Sequence, residues 1–271
     1  MEIKVRGMTF DVYAEGPADG TPVLLLHGFP QDHREFDLIL PRLHEKGLRT
    51  YALDQRGYSP GARPTDTTAY DLAEPVADAV AVLDALKIER AHVIGHDWGA
   101  IVAWMLAAGH PDRVRTLVAV SVPHPRGLHV ALRNQPSQRL RFAYQKVFQS
   151  AYAERLLLAR DAAVLRRLLK PTGPRAAQYV RAMQEPGRLD ATLNWYRARS
   201  GRTLAKVGKV TVPTTYVWSD ADGTVGKPAA LATASWVTGD YRLVTLRGIG
   251  HFIPEEAPRA LAEVTLARIG V

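Results

Sequence analysis

The 271-residue chain contains no cysteine. Disulfides, thiolate nucleophiles and thiolate-bound metals are therefore excluded, an absence that suits a reducing compartment. Long apolar runs are missing too. The run beside the central glycines, Ile101 to Ala108, is far short of the ~20 residues a membrane-spanning helix needs. The opening "MEIKVRGMTFDVYAEG" alternates polar and apolar residues and carries no apolar signal-peptide core. We expect a soluble, cytoplasmic protein with no membrane association. Acidic residues are scarce in one segment only. Between His124 and Lys209 stand 18 Lys/Arg against 4 Asp/Glu, and the rest holds 17 against 23, so the net charge of +8 comes from that segment. There "ERLLLARDAAVLRRLLK" places leucines at helical spacing with arginines between, the pattern of solvated helix faces. No nucleic-acid motif accompanies the charge, and no nucleic-acid partner is expected.

What is present is an alternation of strand and helix patterns. "EIKV" and "TFDVYA" around Gly7 predict an opening hairpin. "PVLLLHG", "RTYALD", "AHVIG" and "VRTLVAVSV" predict strands. Helices are expected from Phe36 to Lys46, up to Leu86 with Pro75 in its first turn, and over "AIVAWMLAAG". From His124 to about Lys206 the strand pattern stops and prolines break Leu/Ala/Arg-rich helical stretches. It resumes with "PTTYVWSD", a helix near Pro228–Ser235, "YRLVTLRG" and a last helix from Pro258 to Ile269. This order predicts an α/β fold with a mostly parallel central sheet covered on both faces. The domains expected are a core of residues 1–123 and 207–271 and an inserted helical cap of residues 124–206.

One turn carries chemistry. "VIGHDWGA" runs from strand to helix through Gly95-His96-Asp97-Trp98-Gly99, the Gly-x-nucleophile-x-Gly frame of a nucleophile elbow with Asp97 in the middle. Small residues are needed on either side because the turn is sharp. Chain order then asks for an acid and a histidine further on. "YVWSDADG" offers Asp220 and Asp222 past one strand, and "LRGIGHFIPEEAP" offers His251 past the last. "LLLHGFP" puts a His-Gly turn after a central strand, from which the N–H of Phe29, with that of Trp98, would form an oxyanion hole. Pro30 fixes the chain beyond. The isolated His33, His44, His92, His110 and His129 are read as structural, His92 and His96 lack a metal-ligand context, and neither metal nor cofactor is expected.

The segments "HGFP" (27–30), "DQRGYSPGARP" (54–64), "GHDWGA" (95–100), "WSDADG" (218–223) and "GIGHFIPEEAP" (248–258) together resemble the α/β-hydrolase fold enzymes of the epoxide hydrolase type, over essentially the whole chain. These are the aspartate-nucleophile branch, close to haloalkane dehalogenases. The resemblance implies Asp97 as nucleophile, His251 as base and Asp222 as the acid. Ser219 stands where a glycine is usual, which keeps Asp220 as an alternative acid. It also implies two cap tyrosines that activate an epoxide: "AYQKVFQ" (143–149) gives Tyr144 and "LNWYRA" (193–198) gives Tyr196. Tyr152 and Tyr179 are expected to pack.

A carboxylate is ionised at neutral pH and can attack a saturated carbon directly, forming an alkyl ester. His251 is then free to activate the water that cleaves it. The expected substrate is a small apolar epoxide, with water as co-substrate, in a pocket that includes His27, Pro30, Phe148 and Trp195. Two other readings keep the scaffold: a haloalkane or haloacid dehalogenase, with the Trp98 indole binding halide, and a non-catalytic ligand-binding protein. The oligomeric state is not legible.

Overall fold

A computed structural model describes residues 1–198 and 201–271. The alternating N-terminus forms β1 (Glu2–Val5) and β2 (Met8–Glu15), joined antiparallel through Arg6 and Gly7, whose φ angles are 52° and 74°. Two successive left-handed residues give the turn whose twist suits a hairpin. The apolar runs become β3 (Thr21–Leu26), β4 (Leu48–Leu53), β5 (Ala91–His96), β6 (Val114–Val120), β7 (Thr214–Ser219) and β8 (Tyr241–Leu246). Every residue of β5 and β7 is buried, as strands covered on both faces must be. The sheet order is β1-β2-β4-β3-β5-β6-β7-β8, with β3 to β8 parallel.

Helices α1 (Leu40–Glu45), α2 (Ala73–Ala85) and α3 (Trp98–Gly109) follow β3, β4 and β5. The helix expected from Phe36 to Lys46 is in fact two pieces, a 3₁₀ turn at His33–Phe36 and α1. Pro41 explains the split, because a residue without N–H is tolerated only in a helix's first turn. Between β6 and β7 the described residues form α4 (Pro125–Asn134), α5 (Pro136–Arg141), α6 (Tyr144–Phe148), α7 (Ala153–Leu168), α8 (Ala176–Met183), α9 (Arg188–Arg197) and α10 (Gly201–Ala205), and no strand. The chain ends with α11 (Lys227–Ala232), α12 (Ile253–Glu256) and α13 (Pro258–Ile269).

The hydrophobic core lies on both sheet faces. One side joins α2, α3 and the helices between β6 and β7; the other joins α1 and α13. Val102, Trp104 and Leu106 of α3 are fully buried, and removing each such side chain from water is worth roughly 1.5–3 kcal/mol. The Trp104 indole N–H donates to the Val122 carbonyl at 3.1 Å, so its burial strands no donor.

Register aligns the strand ends. Leu26 pairs with Gly95, and His96 with Val120, so the residues that follow β3, β5 and β6 leave the sheet at one edge. The edge is closed by the turn at Asp97, which has φ 51° and ψ −118°, a conformation costly for a non-glycine residue. Its glycines make it possible. A Cβ on Gly95 would collide with the Gly99 carbonyl, and one on Gly99 with the Leu26 carbonyl.

Because backbone meets backbone there, Gly99→Ala should cost about 3 kcal/mol or more, lowering the thermal midpoint by roughly 6–12 °C. A melting curve within 2 °C of the parent would show that α3 does not depend on this close approach.

Candidate active site

The elbow delivers Asp97 to the carboxyl edge of the sheet. Its Oδ1 accepts the Phe29 N–H at 2.9 Å, and its Oδ2 lies 3.2 Å from His251 Nε2. Gly28 lets the two loops meet, since a Cβ there would strike the Asp97 side chain. The Trp98 N–H lies in the first turn of α3, where no intrahelical acceptor exists. Burial would raise the Asp97 pKa, but the hydrogen bond and charge of His251 outweigh it and hold the carboxyl below the ordinary range.

His251 is fixed from several sides. Its Nδ1 lies 2.9 Å from Asp222 Oδ2 and 3.0 Å from Thr224 Oγ1. The other Asp222 oxygen, Oδ1, accepts from Thr224 N (2.6 Å), Thr224 Oγ1 (2.7 Å) and Val225 N (3.0 Å). Burial works against ionisation of Asp222, yet the His251 charge and these donors bring it down to about 2. Burial likewise opposes the His251 charge, and the two carboxylates reverse that and raise its pKa well above normal. The imidazole is thus an imidazolium between two carboxylates.

The backbone of this loop is held as firmly. Ser121 Oγ and His96 Nε2 both donate to the His251 carbonyl, at 2.6 and 3.0 Å. Ser219 Oγ donates to the Gly250 carbonyl at 2.6 Å, so the serine in place of the usual glycine anchors the histidine loop. Asp220, the alternative acid, instead accepts the Gly248 N–H at 2.7 Å on the surface. Geometry thus joins Asp222, not Asp220, to His251.

Tyr144 on α6 and Tyr196 on α9 face Asp97 across a cavity of about 330 Å³. Their ring centroids are 6.5 Å apart. Burial raises both phenol pKa values, helped at Tyr144 by the Asp97 charge and at Tyr196 by Tyr144 and then Asp97, so both hydroxyls stay protonated. Phe29, Phe148 and Phe252 line the same cavity with Val147, Val164 and Leu168.

Three residues expected at the pocket are elsewhere. His27 is fully buried behind the wall, its Nε2 accepting the Gln55 N–H at 3.2 Å. Trp195 turns its indole N–H to the Arg56 carbonyl at 2.9 Å and packs at a tilt of 54° against Trp98. Pro30, after a cis peptide bond, is buried beside the wall rather than lining it. Tyr152 does not pack but is exposed, whereas Tyr179 is buried and donates to Glu255 at 2.9 Å.

Sequence reasoning missed Thr224, although its place two residues after Asp222 is an Asx-turn signal. It also missed Glu35, which no motif marks. Burial pushes Glu35 well above the usual carboxylate range, and its Oε2 lies 3.1 Å from His96 Nδ1. Asp32, His33 and Asp54 are the one group among the described residues with metal-ligand spacing. Arg34 and Arg188 already neutralise Asp32, which leaves a cation little charge to bind.

The alpha/beta hydrolase fold family matches residues 21–258. The chain is 31% identical to the AB hydrolase superfamily protein YfhM of Bacillus subtilis (strain 168), over 97% of this chain and 95% of that one. It is also 31% identical to Epoxide hydrolase A of Mycobacterium tuberculosis, over 98% of this chain and 94% of that one. The chain belongs to the α/β-hydrolase epoxide hydrolases. A crystal structure of Epoxide Hydrolase A from Mycobacterium thermoresistibile superposes with a TM-score of 0.81 at 27% identity, covering 100% of this chain and 97% of that one. Among the described residues of this epoxide hydrolase, no helix is long and apolar enough to cross a membrane.

Because Asp222 alone of the two aspartates touches His251, Asp222→Asn should lower kcat by roughly 10³–10⁴-fold, the scale seen when a triad acid is neutralised. Asp220→Asn should stay within a few-fold. Steady-state rates on any turned-over epoxide compare them, and the reverse order would exchange the two assignments.

Proposed function

We propose that the protein hydrolyses an apolar epoxide to a vicinal diol through an ester on Asp97, with residues 124–206 as a helical cap over a core of residues 1–123 and 207–271. The observation that carries this reading is the pair of tyrosines facing the Asp97–His251–Asp222 set across one cavity.

In the first step Asp97 Oδ2 bonds to an epoxide carbon and the ring C–O bond breaks. Tyr144 and Tyr196 hydrogen-bond the developing alkoxide and give it a proton, help typically worth ~10²–10⁴-fold. Esterification abolishes the Asp97 charge. One of the two carboxylates that hold His251 protonated is then gone, and its proton can move to the tyrosinate or to solvent. Neutral His251 next takes a proton from water as the oxygen adds to Asp97 Cγ. The oxyanion forms at Oδ1, beside the Phe29 N–H, with the Trp98 N–H as its second donor in this reading. Collapse breaks the Cγ–Oδ2 bond; the leaving alkoxide takes the proton from His251 and departs as the diol. The new carboxylic acid at Asp97 returns its proton to His251, which restores the carboxylate and the imidazolium. A developing alkoxide needs the tyrosine pair and a halide does not, which favours an epoxide over a haloalkane.

Trapping the ester is the direct test. His251→Gln should accumulate protein heavier by the mass of one epoxide, and Asp97→Asn should show neither adduct nor diol. Bare His251→Gln after exposure to epoxides that the parent hydrolyses would remove the covalent step.

The charge argument also sets a pH dependence. Asp97 is held below its ordinary pKa, so alkylation persists in mild acid, whereas ester hydrolysis needs neutral His251 and slows as pH falls. Rapid-quench mass spectrometry should find more adduct at pH 5 than at pH 8. Less adduct at the lower pH would place the pH-sensitive step in alkylation.

A further inference from the structure

Two cavities meet at Asp97, and they are very unequal. The larger, of about 330 Å³, is walled beyond the catalytic groups by Phe29, Val147, Phe148, Val164, Leu168 and Phe252. Val147, Val164 and Leu168 are 42%, 43% and 37% exposed, so this arm opens to solvent through an apolar mouth. The smaller holds about 30 Å³ and is lined beyond the shared residues by Trp98, Ile101, Val122, Leu128, Phe142 and Gln145. Asp97, Tyr144, Tyr196 and Thr224 belong to both. The reacting ring must therefore sit at their junction.

Resting on the epoxide hydrolase reading above, we propose that the substrates are terminal epoxides with one apolar tail. An epoxide held by Asp97 on one side and the tyrosines on the other points its two carbons toward opposite arms. The smaller arm offers roughly a tenth of the space of the larger, so it takes only a small substituent. It suits an unsubstituted CH₂ carbon better than one that carries a propyl-sized group. The tail on the other carbon lies along the larger arm, where Phe29, Phe148 and Phe252 cover it and its end can reach the mouth. Among the described residues the large arm supplies no charged side chain beyond the catalytic groups, so a carboxylate or ammonium on the tail would be desolvated without a partner from them. Phe142, half-buried on the small arm's wall, is the residue that sets the limit.

The test uses three epoxides of similar size: a terminal one with a hexyl tail, a trans-disubstituted one with a propyl group on each carbon, and a terminal one whose tail ends in a carboxylate. The unmodified protein should prefer the hexyl epoxide over each of the others by about 100-fold in kcat/KM, the scale on which an apolar pocket rejects a misplaced group. Phe142→Ala should shrink the hexyl-over-dipropyl ratio at least tenfold. Comparable kcat/KM on the hexyl and dipropyl epoxides in the parent protein would overturn the inference and leave the epoxide hydrolase reading intact. If none is opened and His251→Gln gains no mass from any, the reading of the reaction fails and the substrate class falls with it.

Discussion

The site depends on one imidazolium held between two carboxylates, Asp222 buried and Asp97 at the cavity wall. Three charges in a poorly solvated place are expensive unless every oxygen has a donor. Here Asp97 Oδ1 has the Phe29 N–H, and Asp222 Oδ1 has Thr224 and Val225. The remaining oxygens face the two nitrogens of His251. That arrangement draws on loops after β3, β5, β7 and β8. Only a sheet whose parallel strands end in register could bring them together. The fold is in this sense the means of solvating three charges without water.

The same constraint explains where strain is kept. Asp97 holds an unfavourable backbone conformation at φ 51°, and both neighbouring glycines press against carbonyls. Released strain would rotate the carboxylate away from Phe29 and His251 together. The core beneath α3 prevents it, because Val102, Trp104 and Leu106 leave the helix no room to retreat. Ser121, itself at φ 66°, and Ser219 extend the support to the histidine loop through its carbonyls. Neither serine is a nucleophile here, yet both hold in place the group that activates water.

Backbone features were legible in the sequence, and side-chain directions largely were not. The strands read correctly because runs such as "PVLLL" and "AHVIG" have no other use, and α13 spans Pro258–Ile269 as its pattern foretold. Asp97, Asp222 and His251 meet because the elbow frame and the chain order restrict each to one strand end. His27 and Trp195 were misplaced for the opposite reason. Each follows or belongs to a recognisable segment, but which way its ring turns depends on partners distant in sequence, Gln55 and Arg56. The motif "DQRGYSPGARP" gains its meaning only in three dimensions. Gln55 clamps the oxyanion loop, and Arg56 offers its carbonyl to α9 while its guanidinium pairs with buried Asp78 at 2.6 Å.

Glu35 shows why the least legible residue still matters to the charges. A third carboxylate buried near Asp97 would, if ionised alone, raise the Asp97 pKa and weaken it as a resting anion. The hydrogen bonds forbid that state. His96 must donate from Nε2, because the His251 carbonyl can only accept. Its Nδ1 then faces Glu35 Oε2 across 3.1 Å, and one proton must lie between them. Whether that proton sits on oxygen or nitrogen, the pair is neutral overall. Glu35 thus orients His96, and through it the carbonyl of His251, without adding net charge beneath the elbow. The burial that raises the Glu35 pKa is what keeps the proton there. A negative field under Asp97 is avoided by the same desolvation that would otherwise make a buried glutamate a liability.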